Sequence, residues 1–312
     1  MPAPRDLRCG LTVEIGDVAM VVRAADLERA RAMAPVVAEL PPERRAPLVE
    51  VEYTATATPV PSRPPDEIHG PLCLWREGTV LRLSYADGRV TATATATSIR
   101  VGGDGVDLAD AWRFVFHYAL AHVLALHGRY LLHAGAIATD GGALIVTGAS
   151  GSGKSTLVLA ALDAGWSALS DDLVAVRPGE TGPEACGIAK PFRVPSELLA
   201  TTDRTAGGRP ASRDRSQVSG HEWKPGWVRV RSVVAVGHND SPHAALTPVR
   251  ATEAVELAVA AFIGMGDPSQ LRPYLPIATG IGKHGGYRIR HGNDASTRLL
   301  EAAGALAALG AP

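Results

Sequence analysis

Near the middle of the chain stands Gly148-Ala149-Ser150-Gly151-Ser152-Gly153-Lys154-Ser155, and no other segment restricts the fold as much. It fits the pattern GxxxxGK[ST] at every fixed position. Before it lies an apolar run, 143–147, and after it a run over 156–164 that reads as a helix ended by Gly165. A buried strand, a glycine loop and a helix in that order make a cradle for phosphate. Main-chain N–H groups converge on the anion at the positive end of the helix, the lysine reaches the outer phosphates, and the following hydroxyl ligates Mg²⁺. Gly148, Ala149, Ser150, Gly151, Ser152, Gly153, Lys154, Ser155 and Thr156 are therefore the expected nucleotide contacts. ATP, or another nucleoside triphosphate, and Mg²⁺ are the expected ligands. A glycine turn that merely joined strand to helix would not need Lys154 and Ser155 together.

Behind that helix, 166–170 reads as a short strand leading into Asp171-Asp172, after which 173–176 continues apolar. Two carboxylates at a strand end beside a phosphate loop have work available: one can enter the metal shell and the other can take a proton from an attacking hydroxyl. A surface turn would also carry such a pair, but the position next to the loop favours function.

The flanking sequence sets the fold class. Residues 11–15, 49–53 and 79–85 alternate with period two in β-branched residues, which predicts half-buried strands. Asp87-Gly88 predicts a hairpin turn feeding the Thr-Ala run 90–95, read here as an edge strand. From Asp107, a candidate N-cap, apolar residues recur at three- and four-residue steps up to a stop at Gly128, predicting a helix. Its His117, His122 and His127 are read as surface or packing residues rather than ligands. Further on, 228–236 and 287–290 read as strands, and 253–263 and 295–309 as helices. The segment 201–226 is polar, Gly- and Arg-rich and non-periodic, and reads as a mobile loop with Lys224 as a candidate lid cation between Trp223 and Trp227. The expectation is an α/β protein: a β-rich N-terminal domain over 1–105 and a P-loop domain over 106–312.

Composition excludes other classes. The chain has 312 residues, of which 46% are hydrophobic, and 31 basic against 32 acidic residues leave a net charge of −1. No bulk field draws it to nucleic acid or to an acidic membrane. No run of about 18 apolar residues is available for a membrane span. Cys9, Cys73 and Cys186 are far apart and show no metal-ligand spacing. A cytoplasmic protein is expected, with the oligomeric state, a homo-oligomer included, left open.

Three stretches together, LLHAGAI, GASGSGKST and SALSDDLVAV, resemble the core of bacterial HPr kinase/phosphorylases and of the HPr kinase-related enzymes of peptide natural-product pathways. His133 precedes Lys154 by 21 positions and Asp172 follows it by 18, and both spacings are similar to the family's. The resemblance, strongest over 130–178, implies an HPr kinase C-terminal-like fold for the P-loop domain. It implies that Asp172 is the catalytic base, that His133 orients it, that Lys154 and Ser155 do the phosphate and metal work, and that Asp171 completes the metal environment. Glu197 falls 43 positions after Lys154, the spacing of the family's metal-binding glutamate, although a glutamate early in a helix also suits the helix dipole. The surrounding phosphorylase signature is absent, and Lys190-Pro191-Phe192-Arg193-Val194-Pro195-Ser196-Glu197 stands in its place.

The absence of that signature leaves open whether the reverse, dephosphorylating reaction occurs, and HPr is not the expected substrate. By analogy with the peptide-tailoring relatives, the expected reaction is transfer of the γ-phosphate to a serine or threonine hydroxyl of a peptide or protein. A kinase of a small metabolite such as free serine is the alternative within the same chemistry. A nucleotide-dependent switch protein is the alternative from another class.

Overall fold

The computed structural model describes residues 9–24, 49–54, 56–85, 88–103, 115–188, 192–199, 215–217, 223–238, 245–264, 271–291 and 304. The chain divides into two compact units. Unit 1 comprises Met1–Leu131 with Ile263–Leu271, and unit 2 comprises Leu132–Phe262 with Arg272–Pro312. In the chain, unit 1 first gives way to unit 2 between Leu131 and Leu132. Helix α1 (His117–Leu126) goes with unit 1 because it packs on that unit's strands.

Unit 1 is built on eight strands: β1 (Cys9–Ile15), β2 (Val18–Ala24), β3 (Val49–Thr54), β4 (Glu67–His69), β5 (Leu72–Glu77), β6 (Val80–Tyr85), β7 (Val90–Ala94) and β8 (Ser98–Gly103). They form one sheet in the order β1-β2-β3-β8-β7-β6-β5-β4. The alternation seen in the sequence is the inside–outside alternation of the pleat: Val49, Val51 and Tyr53 are buried while Glu50 is exposed.

The Thr-Ala strand is not an edge. β7 pairs with both β6 and β8. Thr91 is buried there, and its Oγ1 accepts from the Thr58 N–H at 2.7 Å. Small side chains let an inner strand lie close beneath a helix, and α1 packs on β7. That helix ends as its sequence suggests: the Gly128 N–H bonds the Ala125 carbonyl and the Arg129 N–H the Leu124 carbonyl, a Schellman closure. His122 and His127 contact the carbonyls of Thr79 and Ala96 through Nε2. The proposed cap Asp107 lies outside the described residues.

Unit 2 carries the mixed nine-stranded sheet. Its members are β9 (Tyr130–His133), β10 (Gly135–Thr139), β11 (Gly142–Thr147), β12 (Ser167–Ser170), β13 (Leu173–Pro178), β14 (Pro183–Gly187), β17 (Val228–His238), β18 (Ala245–Val249) and β19 (Gly286–His291). The path runs β12-β10-β11-β17-β14-β13-β9, with β19 on β17 and β18 on β19. β15 (Arg193–Pro195) and β16 (Arg215–Gln217) pair antiparallel in a separate two-stranded sheet. The three strands β11, β17 and β19 run parallel, so their carboxyl ends share one edge, where open α/β sheets place their ligands.

Helix α2 (Lys154–Asp163) follows β11 and buries Leu157, Val158, Leu159, Ala160 and Ala161. These meet Ile137, Val146, Trp166, Phe192, Val194 and Leu198 in one core cluster, with Trp223 packed against it. Each large aliphatic side chain buried there contributes about 1.5–3 kcal/mol. The short helix α3 (Ser196–Leu199) follows β15, and α4 (Ala251–Ala261) and α5 (Leu275–Gly282) pack on each other and on β17. Of the segment expected as a mobile loop, 201–214 and 218–222 lie outside the described residues. Its end is tied to the sheet edge, where Trp223 bridges Ala168 and the Lys224 N–H bonds the Ala168 carbonyl at 2.7 Å. The expected helix over 295–309 lies, except for Gly304, outside the described residues. No helix among the described residues is long and apolar enough to cross a membrane.

Candidate active site

The glycine-rich loop begins where β11 ends. All residues of β11 are buried, so the strand is a rigid rod that delivers Gly148 to the carboxyl edge of the sheet. A Cβ at Gly148 would run into the Val236 carbonyl of the adjacent strand and into Ser152 Oγ. Gly153, the residue before α2, sits in the left-handed region at φ 100°, and a Cβ there would collide with the His291 ring. These contacts explain glycine at both fixed positions of the pattern by close approach and backbone conformation. Ser152 and Thr156 are buried, whereas Ala149, Ser150 and Gly151 are exposed.

Lys154 opens α2 and folds back over the loop. It is only 7% exposed, and its ammonium donates to the carbonyls of Gly148 at 2.8 Å and Ala149 at 3.1 Å. The next side chain, Ser155, turns to the neighbouring edge of the sheet, where its Oγ donates to Asp171 Oδ2 at 3.3 Å.

The two aspartates face different partners because they are consecutive residues in a tight turn. Ser170 ties this turn: its Oγ donates to the Ile188 carbonyl at 3.2 Å and accepts from the Leu173 N–H at 3.2 Å. Asp171 is 5% exposed and points to the start of α2. The Asp172 carbonyl accepts from the Ala134 N–H at 3.0 Å, which brings the end of β9 alongside. There His133 Nε2 lies 3.0 Å from Asp172 Oδ1, with the imidazole half exposed and the carboxylate 26% exposed. One carboxylate is thus buried against the loop's hydroxyl, and the other is reachable from outside beside an imidazole.

Of the residues singled out in the sequence, the structure joins His133 to Asp172, and Ser155 to Asp171. Lys154 lies across the loop that leads into Ser155. Glu197 falls in the four-residue helix α3, and its side chain lies outside the described residues. Lys224 is exposed at the sheet edge beside Ala168.

Two histidines absent from the sequence-based reading also reach the loop. His238 Nε2 lies 3.0 Å from the Gly151 carbonyl, and the buried His291 Nε2 lies 2.9 Å from the Ser152 carbonyl. They end β17 and β19 in register with each other, and their rings meet edge to face with centroids 4.6 Å apart. Each ends a strand, but nothing in the local sequence of either strand marks it as a loop contact.

Oxygen donors suit a hard cation such as Mg²⁺, and the Ser155 hydroxyl beside the Asp171 carboxylate fits that requirement. Among the described residues no group of three or more His, Cys, Asp or Glu is arranged to hold a metal.

No protein-family model matches the chain. No curated protein matches it. Among solved structures, it is similar to the HPr(Ser) kinase/phosphatase from Coxiella burnetii, with 13% sequence identity over 57% of this chain and 96% of that one and a TM-score of 0.25.

Proposed function

We propose that unit 2 binds a nucleoside triphosphate on the loop 148–155 and transfers its γ-phosphoryl group to a hydroxyl, with a serine or threonine of a peptide or protein as acceptor. The observation that carries this reading is the split of the aspartate pair. Asp171 is spent on the Ser155 side of the turn, while Asp172 faces outward beside His133 at 3.0 Å.

In this reading Asp172 accepts the proton of the acceptor hydroxyl as its oxygen forms the new bond to phosphorus and the bridging oxygen of the nucleoside diphosphate departs. His133 donates Nε2–H to the carboxylate and so fixes which oxygen faces the acceptor. The Lys154 ammonium moves from the loop carbonyls to the outer phosphates and offsets the charge on them. Ser155 and Asp171 would hold Mg²⁺, which when bound would neutralise charge on the outer phosphates.

The choice of a peptide acceptor rests on a chemical argument and on the resemblance described above. A hydroxyl presented by a chain brings remote binding energy that can place it near the γ-phosphate, and a free amino acid brings little. The test is to incubate the protein with ATP, Mg²⁺ and either free serine or candidate precursor peptides, and to look by mass spectrometry for one added phosphate. Modification of a peptide hydroxyl is the expected result. Efficient phosphorylation of free serine with peptides ignored would replace this reading by a metabolite kinase. ATP hydrolysis that no acceptor diverts would replace it by a nucleotide switch.

A further inference from the structure

The two histidines beneath the phosphate loop contact its carbonyl oxygens, and a carbonyl can only accept. Each ring must therefore present Nε2–H: His238 to Gly151 at 3.0 Å and His291 to Ser152 at 2.9 Å. In a planar trans peptide the C=O and the following N–H point in opposite directions, so fixing one fixes the other. The peptide held by His238 carries the Ser152 N–H, which already donates to the Ala149 carbonyl at 3.1 Å and closes the loop's own turn. The peptide held by His291 carries the Gly153 N–H, which must point away from the histidine.

Gly153 is also where the chain takes its left-handed step into α2, at φ 100°. It is the residue on which a Cβ would strike His291. The histidine, the glycine and the N–H direction form one unit.

We infer that His291 is a positioning residue for phosphate binding: through the Ser152 carbonyl it aims the Gly153 N–H at a phosphate oxygen, with His238 as an outer brace on the adjacent peptide. This deepens the reading of 148–155 as a phosphate cradle and rests on it. His291 is 3% exposed and reaches the loop through the Ser152 carbonyl, so its effect is to be read in nucleotide affinity.

The experiment titrates the full chain with a non-hydrolysable ATP analogue and Mg²⁺. It follows affinity by calorimetry and the Gly153 amide by ¹⁵N–¹H NMR, in wild type, His291→Gln and His291→Leu. Glutamine places an N–H donor where Nε2 stood; leucine fills the space without one. In wild type and His291→Gln the analogue should bind and shift the Gly153 amide strongly downfield, the signature of a charge-assisted bond to phosphate. In His291→Leu the affinity should fall about tenfold, the scale of leaving one buried carbonyl unpaired, and the Gly153 shift should be lost.

Should the leucine variant not fold, His291→Asn takes its place with the same expectations, because its amide is too short to span to Ser152. A folded His291→Leu or His291→Asn protein that binds within twofold of wild type, with the Gly153 amide moving as before, overturns the inference and leaves the phosphate cradle standing. Equal losses in His291→Gln and His291→Leu overturn it as well. A wild-type protein that binds no analogue removes the cradle itself, and the inference with it.

Discussion

His133 and Asp172 meet at 3.0 Å, Nε2 to Oδ1, although one ends strand β9 and the other sits in the turn after β12. The Ala134 N–H to Asp172 carbonyl bond at 3.0 Å locks the two backbones together behind the side chains. Asparagine at 172 would keep the size and one acceptor oxygen but could not take a proton. Asp172→Asn is therefore expected to keep binding ATP·Mg²⁺ while phosphoryl transfer falls by roughly 10²-fold or more, the usual scale for a general base. Calorimetry and kinetics separate the two effects. Weakened nucleotide binding in this variant would instead make Asp172 a metal ligand.

Lys154→Ala is expected to abolish transfer and leave the fold intact. The ammonium donates to the carbonyls of Gly148 and Ala149, and Ala149 is exposed, so water can replace it there. The role proposed for it at the outer phosphates would have no such substitute. A melting temperature near wild type together with lost activity is the expected pair, and retained turnover would remove the loop from the reaction.

How much of this was legible in the sequence depends on how far apart the cooperating residues lie. The glycine loop could be placed between a strand and a helix because its pattern is carried by adjacent residues, and β1, β3 and β6 of unit 1 could be read because alternation records burial. Asp171 and Asp172 could be noticed but not told apart; the turn tied by Ser170 is what sends them to different partners. His238 and His291 could not be found, since they lie 87 and 139 positions from the carbonyls they hold and only the parallel pairing of β17 and β19 brings them there. The Thr-Ala strand was misread for a related reason: small residues look weak in isolation, yet between β6 and β8 they are what an inner strand beneath a helix requires.

In unit 1, burial holds His122 below its ordinary value near 6.5, with Arg76 lowering it further and the bond to the Thr79 carbonyl opposing both. The folded chain thus favours the neutral ring, and below pH 6.5 the unfolded chain binds the extra proton more readily. This contribution to stability is complete above pH 6.5 and is lost as pH falls from there through the lower folded value. His122→Gln keeps a donor for Thr79 but cannot titrate. Denaturant unfolding of the two proteins at pH 7.5 and 5.5 should show a smaller loss of stability in the variant. Equal losses would mean that His122 titrates normally in the fold.

The remaining prediction concerns the metal. Ser155 Oγ and Asp171 Oδ2 are 3.3 Å apart, close enough that substitutions at the two positions should not act independently. If both hold Mg²⁺, wild-type affinity for ATP should drop when the metal is removed with a chelator. Ser155→Ala and Asp171→Asn should each bind ATP more weakly than wild type in Mg²⁺ and differ little from it in chelator. The double variant should then lose less than the two single losses combined, because the first substitution already removes most of what the second could. Calorimetric titrations of the four proteins, with and without Mg²⁺, complete the cycle. Strictly additive losses, or single-variant losses that persist unchanged in chelator, would assign the pair to holding the turn and the start of α2 together rather than to the metal.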